Sequence, residues 1–195
     1  GTNKKNIYPT PVIGGVGLIN KIENKVNHFF KKENNPVLVV GKTFGHLHQS
    51  VFFEEIYSIK DGPPPEINLL NEKNNGNFIL KLIKDNLLNS VHDISSGGLI
   101  IALSEMCISS NIGIKIEKPK KLNNLFEYFF GEDQGRYLIE IEKNNLKKVE
   151  KMFKDDNIFH EIVGFTQKDN FELSGELKIS IKDLFNANNK WYYNY

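Results

Sequence analysis

The last third of the chain constrains the fold most, because its hydrophobic period switches between that of a strand and that of a helix. Arg136-Tyr137-Leu138-Ile139-Glu140-Ile141-Glu142 reads as a strand. Asn145 to Lys154 then puts Leu146, Val149 and Phe153 on one side of an amphipathic helix. His160 to Thr166 returns to strand, Phe171-Glu172-Leu173 continues it, and a tail helix is expected near 181–185. Strand, helix, strand and strand in close succession predict an α+β domain, a mixed β-sheet with helices packed on one face.

The rest of the sequence supplies compatible pieces. Pro36-Val37-Leu38-Val39-Val40-Gly41 has the β-branched density of a buried strand. Val12-Ile13-Gly14-Gly15-Val16-Gly17-Leu18-Ile19 also reads as a strand, its glycines permitting a bulge or a close backbone approach. Helices are expected over 46–58 and over 68–88, the second with a possible break at Asn74-Asn75-Gly76, and Asp61-Gly62-Pro63-Pro64-Pro65 between them reads as a turn and a stiff extended stretch. Ser90 to Ile94 is a short strand, and Gly113-Ile114-Lys115-Ile116-Glu117 alternates as a half-buried strand does.

Composition excludes several classes. Lys and Arg nearly balance Asp and Glu, for a formal charge of +1, so the strongly basic face needed for non-specific nucleic-acid binding is missing. No apolar run approaches the roughly 20 residues of a membrane-spanning helix, and the expectation is a soluble, cytoplasmic domain. Cys107 is the single cysteine. It rules out an internal disulfide and a multi-cysteine zinc site and reads as a small buried packing residue. The abundance of Lys, Asn and Ile is the drift expected of an AT-rich genome. Against that drift Arg136, the sole arginine, stands out.

Two segments can carry chemistry. In His92-Asp93-Ile94-Ser95-Ser96-Gly97-Gly98-Leu99 an acid at a strand end is followed by hydroxyls and two glycines at a helix start. A helix N-terminus offers backbone N–H groups and partial positive charge to phosphate, and Asp93 beside it can hold Mg²⁺ through one carboxylate. The plainer reading is an N-cap by Ser95 or Ser96, with glycines that only permit the turn. In Phe130-Gly131-Glu132-Asp133-Gln134-Gly135-Arg136 two acids and an amide precede a strand. They either face a polar ligand or form a solvated turn with Arg136 as ion-pair partner. His46 and His48, two apart on an expected helix, do not share a face and make a poor zinc pair. Trp191-Tyr192-Tyr193 reads as a docking segment for the tail helix.

Taken in order, these segments resemble one family, the phosphoribosylformylglycinamidine synthases of the AIR synthase superfamily. Residues 9–19, Gly41-Lys42-Thr43, Gly45 to Ser50, Gly62-Pro63-Pro64-Pro65, the His92–Leu99 segment and the Phe130–Arg136 segment match its pattern in register from about residue 8 to 170. Ser96 stands where the family usually has Asp, which removes a charge beside the implied metal site, and His48 where it usually has Gly. The resemblance implies an AIR synthase C-terminal-like domain over 21–195, preceded over 1–20 by the terminal strand of an N-terminal-type domain. It implies an ATP-dependent ligase that turns formylglycinamide ribonucleotide into its amidine, here as a C-terminal part without the catalytic histidines and inactive alone. It further implies Mg²⁺ at Asp93, ATP or ADP at Ser95, Gly97 and Gly98, and a substrate-like loop at Glu132, Asp133 and Gln134. The implied partners are the remainder of the synthase chain, a glutaminase subunit (PurQ) and a small subunit (PurS). The alternative role is a non-catalytic module that completes the synthase fold.

Overall fold

A computed structural model of the chain describes residues 11–19, 21–119, 124–190 and 192. Its centre is β1 (Pro36–Val40), whose five residues are all buried. A strand without a polar face must be covered on both sides, and β1 is flanked within the sheet as well. It pairs antiparallel with β4 (Tyr137–Glu140) and with β5 (His160–Gln167), with a register shift between Val37 and Leu38 on the β5 side. β2 (Ser90–Asp93) extends the sheet beyond β4, while β3 (Gly113–Ile116), β6 (Asn170–Leu173) and β7 (Leu177–Ser180) extend it beyond β5. The order is β2-β4-β1-β5-β3-β6-β7. Among the described residues only the β3–β6 pairing is parallel, so the sheet is mixed, as expected.

The helices are divided between the two faces of that sheet rather than gathered on one. Val37, Val39, Leu138, Ile114 and Ile116 point to the side of α3 (Gly98–Ser110), α4 (Leu125–Phe130) and α6 (Ile181–Asn189), where Leu99, Leu103, Met106 and Phe129 are buried. Leu38, Val40, Ile139 and Ile141 point the other way and pack under α2 (Leu69–Lys84) and α5 (Leu146–Asp155). Alternation along β1 and β4 creates the two apolar faces, and each needs its own helical layer. On the second face Phe153 of α5 lies against Phe78 of α2, with centroids 4.5 Å apart, and stacks on His160 at 4.0 Å.

Local details differ from the expectations for physical reasons. Residues 11–19 form no strand, and all nine are exposed. The 46–58 stretch is helical only as α1 (Val51–Tyr57), which begins where Ser50 accepts from the Phe53 N–H at 3.2 Å. α2 runs unbroken through 74–76 because Asn75 is buried and its Nδ2 donates to the Gly135 carbonyl at 2.8 Å. Glu140 is fully buried on the same side of β4 as Leu138. Its carboxylate accepts from the Lys31 and Lys32 N–H groups, from Asn35 Nδ2 and from Ser90 Oγ, so the segment before β1 wraps around a satisfied charge. Cys107 is buried in the α3 layer, and burial pushes its thiol pKa far up. No helix among the described residues is long and apolar enough to cross a membrane. Of the aromatic tail only Tyr192 lies within the described residues.

Candidate functional site

The β2–β4 pairing brings the two chemistry-bearing segments together. Asp93, the last residue of β2, sits opposite Tyr137, the first of β4, and the Ile94 N–H donates to the Arg136 carbonyl at 3.0 Å. The chain leaving β2 then turns into α3 directly against the loop that leads into β4. Gly97 and Gly98 have φ of 81° and 73°, left-handed values that suit glycine. A Cβ on Gly98 would lie 2.7 Å from the Gly131 carbonyl oxygen, so the glycine is also needed for the close approach of two backbones.

The cap of α3 comes from across this contact. Gly97 is the N-cap residue and supplies no side chain, and neither Ser95 nor Ser96 fills that place; both are exposed. Instead Glu132 Oε1 accepts from the Gly97 N–H at 2.7 Å and from the Val51 N–H, the first of α1, at 2.8 Å. One carboxylate thus sits at the positive ends of two helices. The Gly98 N–H donates to the Ser95 carbonyl at 3.1 Å.

Asp133 is spent in a similar way. It is buried, and its two oxygens accept from the N–H groups of Phe44, Gly45 and His46 at 2.9, 3.0 and 3.2 Å. Arg136, at 1% exposure, lies behind it. Its guanidinium donates to the carbonyls of Asp133 and Gly131 and to Thr43 Oγ1, and Nη1 is 3.8 Å from Asp133 Oδ2. Burial lowers the Arg136 pKa, and the Asp133 charge opposes that shift. The expected solvated turn is therefore a buried ion pair that fastens residues 131–136 to residues 43–46.

Among the acids and the amide of the two segments, Asp93 and Gln134 remain open, and they face different clefts. Asp93 lines a cleft of about 630 Å³ with His28, His92, Glu105 and Tyr137. There His92 stands between two carboxylates, Nδ1 at 3.3 Å from Asp93 and Nε2 at 3.1 Å from Glu105. Burial first, then Glu72 and Asp93, raise the pKa of Tyr137. Gln134 is exposed and lines a cleft of about 1100 Å³ with Lys42, Asn71, Asn75, Lys154 and His160. The His28–His92–Glu105 grouping was not singled out from sequence. The only hint was the His-Asp pair followed, two turns into the helix, by Glu105. Among the described residues no three His, Cys, Asp or Glu side chains are placed to hold a metal ion. His46 contacts the Pro63 carbonyl at 3.0 Å, and His48 packs edge-on to Phe53.

Residues 32–174 match the family described as AIR synthase related protein, C-terminal domain. The chain belongs to that family. It is 47% identical over 194 residues to the phosphoribosylformylglycinamidine synthase subunit PurL of Pelagibacter ubique (strain HTCC1062), a match covering 100% of this chain and 27% of that protein. The chain spans about a quarter of the length of the curated relatives it matches. Among solved structures it is similar to Thermotoga maritima PurL complexed with FGAR, with TM-score 0.67 and 14% identity over 84% of this chain and 30% of that one. It is also similar to the same protein complexed with ATP, with TM-score 0.63, 14% identity and coverage of 84% and 28%. At that identity the likeness shows the fold, and the AIR synthase C-terminal-like architecture is secure.

Proposed function

We propose that the chain is the C-terminal part of the synthetase subunit of a phosphoribosylformylglycinamidine synthase. The full subunit converts formylglycinamide ribonucleotide to formylglycinamidine ribonucleotide in purine biosynthesis, using ATP and ammonia delivered by a glutaminase. The observation that carries this reading is the 47% identity to a PurL subunit along the whole chain. The remainder of the synthase chain, the glutaminase and the small subunit are its partners, in the cytoplasm. The chain alone is inactive.

Within that enzyme, Asp93 and Ser95 are the groups of this chain that meet a bound nucleotide. Asp93 suits Mg²⁺ as a single ligand, because its carboxylate is exposed and meets His92 Nδ1 at 3.3 Å. Magnesium commonly takes one or two carboxylates and fills its other positions with phosphate oxygens and water; when bound it neutralises phosphate charge. Gly97 and Gly98 shape the turn that lets the nucleotide approach. A phosphate reaching Gly97 takes the place that Glu132 holds at the helix end. Gln134 is the member of the acidic loop free to touch a substrate-like ligand, while Glu132 and Asp133 hold the loop in shape. A second reading, a structural module without ligand, is favoured by how the acidic loop spends its two carboxylates on five backbone amides.

The test uses the full subunit with formylglycinamide ribonucleotide, ATP and ammonia. Amidine formation by the full subunit, and none by this chain alone, is the expected result; turnover by the chain alone would overturn the assignment of a non-catalytic part. Calorimetric titration of Mg-ADP into the full subunit and its Asp93→Ala variant separates the two readings. Weaker binding in the variant supports the nucleotide role, and equal binding supports the structural one.

A further inference from the structure

Helix α1 is built as if to lie inside a protein, yet it stands outside this one. Five of the seven residues in Val51-Phe52-Phe53-Glu54-Glu55-Ile56-Tyr57 are apolar or aromatic. A helix apolar around most of its circumference belongs in a core. Only Phe52 is buried; Ile56 is 63% exposed, Tyr57 56% and Val51 44%, and Ile59 just beyond the helix is 42% exposed. Phe126 on α4, 49% exposed, stacks on Phe52 at 5.4 Å and enlarges the same patch.

The helix is nonetheless firmly set. Helices this short are marginal in water unless packing or capping supports them. α1 has Ser50 as its N-cap, the Glu132 carboxylate at the Val51 N–H, and Phe52 stacked on Phe130 at 4.5 Å. Ser58 closes it in a left-handed conformation. The ordering cost of presenting these side chains has therefore been met within the domain, which is what a preorganised contact surface requires. The cation nearest α1 in sequence, Lys60, is paired with Glu54, and Glu55 is an exposed acid on the same helix, so the surface does not suit a polyanion.

We infer that α1, with Phe126 beside it, is a plug that inserts into an apolar groove on another domain of the same longer subunit. This rests on the reading of the chain as part of a synthase subunit. The occupant follows from lengths: the PurL relative is almost four times as long as the stretch it shares with this chain, so most of its polypeptide lies outside these residues and has to pack somewhere. An apolar patch that is exposed and preorganised, and whose adjacent Lys60 is already paired, fits a neighbouring domain better than a nucleic acid.

The experiment uses the full subunit carrying Ile56→Cys or Phe126→Cys, with Lys148→Cys on the exposed side of α5 as the reference position. Maleimide labelling is read at each site by peptide mass spectrometry, native against denatured. Native labelling at 56 and 126 slowed at least about tenfold relative to 148 is the expected result. Equal native rates at the three positions overturn the inference. Protection at 56 and 126 that disappears when the subunit is diluted to a monomer also overturns it, and assigns the patch to a second copy. If a cysteine variant does not fold, hydroxyl-radical footprinting of Tyr57 and Phe126 in the wild-type subunit reads the same exposure. Amidine formation is assayed separately on that subunit, so an inactive subunit with a protected α1 refutes the enzymatic reading and leaves the plug standing.

Discussion

Asp133→Ala gives the sharpest test of how the site is held. The substitution removes three acceptor contacts to the N–H groups of residues 44–46 and leaves Arg136, at 1% exposure, without its nearest counter-charge. Breaking a buried ion pair by deleting one partner costs about 3–5 kcal/mol, most of it from the charge left behind. For a chain of this size each kcal/mol moves Tm by roughly 2–4 °C, so the melting temperature should fall by roughly 6–20 °C. Scanning calorimetry or a circular-dichroism melt measures it. A cycle with Arg136→Met isolates the cause. If the stranded guanidinium dominates, the double variant is more stable than the summed single effects predict, by about 1 kcal/mol or more. A single-variant loss below about 1 kcal/mol, or strict additivity, would refute the claim that this pair works as a buried unit.

Other consequences are read as directly. Gly98→Ala should cost about 2–5 kcal/mol in a urea titration, because it combines a left-handed φ with a Cβ pressed on the backbone of residues 129–131. Cys107 should react with a thiol reagent only at the rate of unfolding, since its thiol is buried and its pKa is raised; rapid labelling of the native chain would contradict the placement of α3. Glu161 has a raised pKa, caused by burial and partly opposed by the Tyr128 hydroxyl. A carboxyl raised in the folded state binds its proton more tightly there, so its ionisation costs stability above the folded pKa, and that cost is relieved as pH falls through it. Glu161→Gln should therefore stabilise the chain at neutral pH and lose that advantage under acid conditions, as melts across pH would show.

Much of the fold was legible because its strands and helices keep clean periods. β1 and β5, the amphipathic α5 with Val149 and Phe153 inward, and the helix after the double glycine all lie where their patterns put them. What escaped depended on contacts distant in sequence. Asn74-Asn75-Gly76 carries a local signal to break, overridden because the Asn75 amide is bonded to Gly135, sixty residues away. Val12 to Ile19 has strand composition, but a strand needs a neighbour and the described residues offer none to it. The second helical layer was implicit in the wholly apolar β1, which has no face to leave uncovered. Glu140 could have been suspected, since it shares a side of its strand with Leu138, but the four donors that satisfy it come from two segments far from it in sequence, residues 31–35 and Ser90.

The candidate site shows the same division between local signal and distant contact. Both segments were visible as patterns of acid, hydroxyl and glycine, and the β2–β4 ladder does join them. Their order along the chain could not reveal which carboxylates are consumed by the fold. Glu132 and Asp133 have the composition of ligand-binding acids, but each faces backbone N–H groups of a neighbouring turn. A carboxylate that leaves such a place strands several donors, at about 1–3 kcal/mol for each one buried and unsatisfied. Asp93 and Gln134 carry no such obligation, and they open into separate clefts. Groups in separate clefts with no shared partner act independently. If Asp93 anchors a nucleotide, then Gln134→Ala should leave Mg-ADP affinity of the full subunit unchanged, and its effect should add to that of Asp93→Ala. Non-additive losses would mean that one ligand bridges both clefts, and the two segments would then form a single site.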